Sequence, residues 1–146
     1  MAQITLTSTN DRIPLSMYLA FTAALMSALG SLYFSEIAHF PPCVLCWYQR
    51  ICMYPLVVIF AVGIIKKDTL MKLYAWPLVI VGWLIAVYHN LLYYNVLPEA
   101  AAPCRAGISC TTKFIEWFGF LTIPSLSLIS FTFIGIMLIL VSRRRV

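Results

Sequence analysis

The sequence predicts an all-α membrane protein, a bundle of four transmembrane helices with both termini in the cytoplasm. Three observations predict it: the composition, four charge-poor apolar stretches, and the uneven distribution of positive residues between them. Of the 146 residues, 62% are hydrophobic and only 10% are charged, whereas a soluble domain averages about 25% charged residues. So small a polar fraction cannot cover a water-soluble globule, and lipid must therefore surround much of the chain.

The first span, at about 15–34, contains no charged residue. A signal peptide is the alternative, because Ala28-Leu29-Gly30 is a tolerable cleavage site. The apolar run is longer, however, than the roughly 7 to 15 residues typical of a signal peptide, and the segment before it carries one arginine beside an aspartate. We therefore expect a retained transmembrane helix, which satisfies its own backbone hydrogen bonds in lipid.

The second span, at about 44–65, follows two consecutive prolines, which suit a helix start. The span carries Arg50, and the charge-free residues behind it, 51–65, reach only about 22 Å at about 1.5 Å per residue. A hydrocarbon core is about 30 Å thick. The segment from Cys43 to Arg50 must therefore enter the membrane boundary.

The third span, at about 73–94, carries His89 near its outer end, and the fourth, at about 118–141, again has no charge. The four spans together make a single domain, 1–146. Membrane helices tolerate proline, so the prolines inside the last three spans predict kinks and not breaks. These prolines are Pro55, Pro77 and Pro124.

Positive residues collect on one side of the membrane. That side has Arg12, the lysines of "KKDTLMK" between spans two and three, and the arginines of the tail "SRRRV", whereas the other side has Arg105 and Lys113. The positive-inside rule therefore places both termini in the cytoplasm and the other two loops outside. The net charge of +5 is a topology signal, and we expect no nucleic-acid partner.

Four of the five cysteines form two close pairs, Cys43/Cys46 and Cys104/Cys110, and Cys52 is left over. The predicted topology gives one pair to each extracytoplasmic loop, on the side where disulfides form and persist. Charge distribution and cysteine placement are independent observations, and they agree. We expect Cys52, deeper in its span, to pack as a small apolar residue.

The stretch "PPCVLCWYQR" places Cys43, Cys46 and Arg50 at i, i+3 and i+7 of a helix, on one face. A helix amino terminus and a nearby arginine both stabilise a thiolate, so this pair suits thiol redox chemistry. A zinc half-site or a static disulfide is the alternative for the pair. For Arg50 the alternative is a side chain that extends to the lipid head groups.

The second pair lies in "APCRAGISC", where five residues separate Cys104 from Cys110 and Gly107 allows a tight turn. Such a pair can close a short, exposed loop, and an exposed disulfide is the labile kind. A purely structural disulfide is the alternative. His89 lies at roughly the depth of Arg50, and the two together can cradle a polar head group with two carbonyls; the alternative is an imidazole bonded to a neighbouring helix.

The "PPCVLCWYQR" stretch, a histidine near the outer end of the third span, a second cysteine pair before the fourth span and four spans in all closely resemble the DsbB family of bacterial disulfide bond formation proteins. The short loop interval is more similar to BdbC-type members. The resemblance implies a thiol:quinone oxidoreductase of the bacterial cytoplasmic membrane. It implies an extracytoplasmic thioredoxin-like thiol oxidase, DsbA- or BdbD-like, as the partner that is reoxidised, and menaquinone or ubiquinone as the electron acceptor, in support of disulfide formation in secreted proteins.

The resemblance also implies roles for individual residues. Cys46 matches the quinone-side cysteine and Cys43 its partner, while Arg50 matches the arginine that engages the quinone. His89 matches a histidine near the quinone ring. The resemblance implies no metal ligand.

In the outer loop, Cys104 resembles the cysteine that forms a mixed disulfide with the partner, and Cys110 the one that exchanges with Cys43. Many relatives have a longer interval with an amphipathic helix in it, so the route between the pairs stays open. Three alternatives remain for the whole chain: an enzyme similar to vitamin K epoxide reductase, a Cys/His metal-handling membrane protein, and a structural subunit of a larger membrane complex.

Overall fold

The computed structural model describes residues 14–68, 70–98 and 122–143, and these residues form helices and connecting turns with no strand among them. Four of the helices are long and apolar enough to cross a membrane, which confirms the predicted all-α, four-span fold class. They are α1 (Leu15–Leu32), α2 (Val44–Lys66), α3 (Met71–Tyr93) and α4 (Ile123–Arg143). A π-helical turn, Tyr33–Ile37, extends the first span to Ile37.

Helix α2 begins where the two prolines and the first cysteine predict. Cys43 is the N-cap residue, with extended backbone angles, and its sulfur accepts a hydrogen bond from the Cys46 N–H at 3.4 Å. At the other end, Lys67 adopts a left-handed conformation with φ of 52°, and the Asp68 N–H bonds back to the Gly63 carbonyl. This Schellman-type ending turns the chain tightly into α3.

Helix α4 begins at Ile123, and the predicted start of the fourth span near 118 lies outside the described residues. Thr122 caps it, because its hydroxyl accepts a hydrogen bond from the Ser125 N–H at 3.4 Å. Pro124 consequently occupies the first turn, where its missing N–H breaks no helical hydrogen bond. By contrast, α2 and α3 continue as helices through Pro55 and Pro77.

The four helices pack in a ring, because each contacts its neighbour in sequence and α1 closes against α4. Small residues allow this close approach, as is usual where lipid supplies no hydrophobic force between helices. Ala20 and Ala24 of α1 are fully buried. Gly82 of α3 faces the buried ring of Phe131 from α4 so closely that a Cβ atom there would lie 2.3 Å from the ring.

Candidate active site

The two cysteines of the first pair lie at the amino terminus of α2 with their sulfur atoms 2.8 Å apart. Both are free thiols; Cys43 is buried and Cys46 is half-buried. A disulfide bond is about 2.05 Å long, so a small side-chain rotation would bring the two sulfur atoms to bonding distance.

Cys43 lies one residue before the membrane-spanning helix α2. The pKa of its thiol is well below the usual value, because the Cys46 side chain donates to its sulfur and His89 lies beside it, against the opposing effect of burial.

His89 of α3 contacts the same cysteine. Its side chain is only 2% exposed, and Nε2 lies 3.7 Å from Cys43 Sγ. Its other ring nitrogen, Nδ1, lies 3.4 Å from the carboxamide nitrogen of Gln49. His89 therefore contacts the first cysteine of the pair from a neighbouring helix. This contact is of the kind that the alternative interpretation, an imidazole bonded to a neighbouring helix, predicts.

Arg50 points into the bundle. It is 9% exposed, and it donates from Nε to Ser31 Oγ at 2.8 Å and from a terminal nitrogen to the Ser31 carbonyl at 2.9 Å. Its guanidinium carbon also lies 5.4 Å from the centre of the Trp47 ring, within cation–π range. Extension to the lipid head groups is thus not the observed geometry. Ser31 of α1 accepts both of these hydrogen bonds.

A cavity of about 360 Å³ lies beside these groups, within the range of roughly 300–1,000 Å³ that is typical of small-molecule sites. Its walls come from α1, α2, the segment between them, the carboxyl-terminal end of α3 and the amino-terminal half of α4, and both cysteines of the pair line it. The lining is mostly apolar. Its polar members include Ser27, Ser31, Gln49, Arg50, His89 and Ser127.

Tyr54, one helical turn beyond Arg50, lines the same cavity. Its hydroxyl is buried and has no hydrogen-bond partner among the described residues. A buried polar group without a partner costs about 1–3 kcal/mol, so this donor is available to a bound molecule. Cys46, Arg50 and Tyr54 recur every four residues and share one face of α2.

Asn90 fixes the cavity wall on the side of α4. Its carboxamide nitrogen donates to the carbonyls of Ala86, at 2.8 Å, and Pro124, at 2.9 Å, and its oxygen accepts from the Ser125 hydroxyl at 3.2 Å. These bonds tie the start of α4 to α3. Because Pro124 lines the cavity, Asn90 sets the width of the cavity without touching the cysteines.

The structure brings together four of the six residues that the sequence singled out. Cys43 and Cys46 are adjacent, His89 contacts Cys43, and Arg50 lines the same cavity. The two loop cysteines, Cys104 and Cys110, lie outside the described residues. Cys52 packs in the hydrophobic core of the bundle, as predicted.

Sequence reasoning missed four polar residues around the cavity. Gln49 carried a signal, since a glutamine inside an apolar span needs a partner. Asn90 carried the same signal, since it is a polar residue within the apolar third span. Ser31 and Tyr54 carried no such signal, because serine and tyrosine are common in membrane helices and at their ends.

The first pair and the histidine also form a group of metal-ligand type. The two Sγ atoms and a ring nitrogen of His89 all lie within 4.8 Å of one another. Thiolate and imidazole donors together favour soft or borderline cations such as Zn²⁺.

The family model described as "Disulfide bond formation protein DsbB" matches residues 14–141. The chain is 46% identical over 124 residues to disulfide bond formation protein C of Bacillus subtilis (strain 168), an alignment that covers 85% of this chain and 90% of the relative. It is 43% identical to probable disulfide formation protein C 1 of Bacillus anthracis, with coverage of 83% and 87%. It is 40% identical to the probable disulfide formation protein of Metapseudomonas resinovorans, with coverage of 88% and 90%. No solved structure matches the chain closely enough to count as similar.

Proposed function

Because the chain belongs to the DsbB family of disulfide bond formation proteins, we propose that this multi-pass membrane protein is a thiol:quinone oxidoreductase. Its electron donor is an extracytoplasmic thioredoxin-like thiol oxidase of DsbA or BdbD type. Its acceptor is a membrane quinone, menaquinone or ubiquinone. The observation that carries the proposal is the juxtaposition of a dithiol and a buried guanidinium on one ligand-sized, mostly apolar cavity.

The cavity fits a quinone head group on three counts. Its volume and apolar lining suit a flat ring, Arg50 offers charged donors to a ring oxygen, and the Tyr54 hydroxyl is a buried donor that needs a partner. We assign Arg50 and Tyr54 to binding of the ring oxygens. When bound, the quinone supplies a two-electron sink for the dithiol.

The chain's own residues divide the thiol chemistry between them. Cys46 is the less buried residue of the pair and lies one helical turn from Arg50 on the same face of α2, so we assign it as the quinone-side cysteine. Cys43 is held as a thiolate by the helix start and by His89. Closing the Cys43 thiolate and the Cys46 thiol into a disulfide releases two electrons and one proton, and the His89 ring beside Cys43 is placed to hold that proton.

We assign electron entry to the loop pair. A partner thiolate attacks the Cys104–Cys110 disulfide, and the reduced loop then reduces Cys43–Cys46 through a second mixed disulfide. Each exchange forms one sulfur–sulfur bond and breaks another, so electrons move without a separate carrier. Replacement of Cys104 by serine should stop reduction by the partner and leave the first pair intact.

The orientation that we propose puts the cysteines outside the bacterial cytoplasmic membrane. Four basic residues lie at the end of the bundle opposite the first cysteine pair: Lys66, Lys67, Lys72 and Arg143. Helix α2 runs from the pair to the lysines, α3 runs back toward the pair, and α4 runs away from it again to end at Arg143. The positive-inside rule assigns that end to the cytoplasm. An oxidising compartment then faces the thiols, as disulfide chemistry requires.

The test is quinone reduction by purified protein in detergent, supplied with a reduced thioredoxin-like partner and a soluble quinone analogue, and followed by quinone absorbance. We expect Cys43→Ser and Cys46→Ser to abolish turnover, because neither variant can form the disulfide. Cys52→Ser is the matched control and should keep it, since Cys52 packs in the core away from the pair. Turnover that persists in either of the first two variants would refute the proposal.

A further inference from the structure

We propose that the reduced site also binds Zn²⁺, through Cys43 Sγ, Cys46 Sγ and His89 Nε2, and that the ion arrests the enzyme in its dithiol state. The three ligand atoms come from two helices and lie within 4.8 Å of one another. This inference goes beyond quinone reduction: ion binding stands on the thiol and imidazole geometry alone, and the arrest of turnover rests on the proposed function.

The distances suit a tetrahedral ion with little rearrangement. With Zn–S of about 2.3 Å and Zn–N of about 2.0–2.1 Å, neighbouring ligand atoms lie roughly 3.5–3.8 Å apart. The distance from Cys43 Sγ to His89 Nε2 is already 3.7 Å. The two sulfurs, at 2.8 Å, must separate by about 1 Å, which a rotation of the half-buried Cys46 side chain provides. The fourth position opens to the cavity that both cysteines line.

The surroundings support both the thiolates and the imidazole as ligands. The Cys46 N–H donates to Cys43 Sγ at the helix start, and such a bond stabilises a thiolate. Gln49 holds His89 by Nδ1 and leaves Nε2 directed at the sulfur. In the observed orientation the Gln49 nitrogen donates to Nδ1, which leaves the ring proton on Nε2. A half-turn of the carboxamide presents its oxygen to Nδ1–H instead and frees the Nε2 lone pair for an ion, as ligands behind a metal site usually do.

Redox state then controls the site. The disulfide form offers no thiolate, so only the reduced form binds the ion. Once bound, Zn²⁺ occupies both sulfurs that must join to release the electrons, and turnover stops. Two thiolates and Zn²⁺ sum to zero charge, which lowers the cost of holding them in a buried site beside Arg50.

The experiment titrates reduced, oxygen-free protein in detergent with Cd²⁺ as a spectroscopic substitute for Zn²⁺, and reads the ultraviolet thiolate-to-metal absorption. The protein carries Cys104→Ser and Cys110→Ser, so that the loop pair cannot bind the ion. We expect one Cd²⁺ per reduced chain, displaced by Zn²⁺, and none in the oxidised chain. Cys52→Ser should leave the titration unchanged, and His89→Ala should weaken binding by about tenfold or more.

Two results would overturn the inference: equal binding by the reduced and oxidised chains, or a titration unaffected by Cys46→Ser. Cys46 is half-buried, so we expect the Cys46→Ser variant to fold. Circular dichroism checks the helix content of each variant, so that lost binding is not mistaken for unfolding. The absorption needs no quinone and no partner, and a failure here is therefore distinguishable from a failure of the proposed oxidoreductase activity.

Discussion

Replacement of Tyr54 by phenylalanine should change stability and quinone use in opposite directions. The Tyr54 hydroxyl is buried and has no hydrogen-bond partner among the described residues, and such a group costs about 1–3 kcal/mol. The substitution removes the hydroxyl and keeps the ring. We therefore expect the quinone-free protein to gain about 1–3 kcal/mol in its free energy of unfolding.

Quinone binding should weaken in the same variant. A neutral hydrogen bond contributes about 0.5–1.5 kcal/mol net, which corresponds to a rise of about 2- to 12-fold in the KM for quinone. The value of kcat should change less, because Tyr54 lies two helical turns from Cys46 and touches neither sulfur. A higher free energy of unfolding together with a higher KM for quinone is what we expect when a buried polar group binds a ligand at a cost to stability.

The assays are thermal unfolding in detergent without quinone and steady-state quinone reduction. Tyr48→Phe is the matched control: Tyr48 is on the same helix, 49% exposed, and outside the cavity, so neither quantity should move. Loss of stability in Tyr54→Phe together with an unchanged KM would refute the reasoning, because it would show that the hydroxyl already has a partner in the protein and meets no ligand.

Three further substitutions or conditions test other parts of the structure. Arg50→Gln should raise the KM for quinone about tenfold or more, since hydrogen bonds from a charged donor contribute about 1.5–3 kcal/mol; steady-state kinetics check this, and a change in protein abundance alone would contradict it. Gly82→Ala should lower the free energy of unfolding by about 1–3 kcal/mol, because its new Cβ meets an aromatic ring, whereas Gly30→Ala, with nothing within 4 Å, should not; equal melting shifts would contradict the packing. The lowered pKa of Cys43 means that its thiolate survives to a lower pH than an ordinary thiol, whose pKa is about 8.5; ultraviolet thiolate absorbance against pH should show a first step well below that value, and its absence would contradict the assignment.

The number and order of the helices followed from the sequence because lipid imposes a strong rule. Four apolar stretches of sufficient length had to be helices, and they are. The start of α2 was equally readable, because two prolines and the capping Cys43 mark it locally. The start of α4 was not, since hydropathy alone does not mark a cap and the Thr122 cap decides where the helical hydrogen bonds begin.

The contacts within the site were less predictable for a different physical reason. In a soluble helix the polar face shows which side meets water, but a membrane helix is apolar on both its lipid face and its core face. Sequence spacing therefore placed Cys43, Cys46 and Arg50 on one side of α2 and gave no rotation for α1 or α3. The pairing of Arg50 with Ser31, 19 residues away, and of His89 with Cys43, 46 residues away, depends on those rotations.

These two pairings revise the expected division of charge along α2. The sequence-based mechanism gave Arg50 two tasks, to stabilise a thiolate and to hold the quinone. Cys43 and Arg50 are separated by about 10 Å of helix, and the structure supplies Cys43 with its own stabilising groups, the Cys46 N–H and His89. Arg50 is instead fixed by α1 through Ser31. The Cys43 thiolate therefore does not need the guanidinium, whereas Cys46, whose thiolate the sequence-based mechanism assigned to Arg50, lies one helical turn from it. Arg50 has no acid to pair with among its described contacts, and we propose that it also meets an electron-rich oxygen on the molecule that the cavity receives.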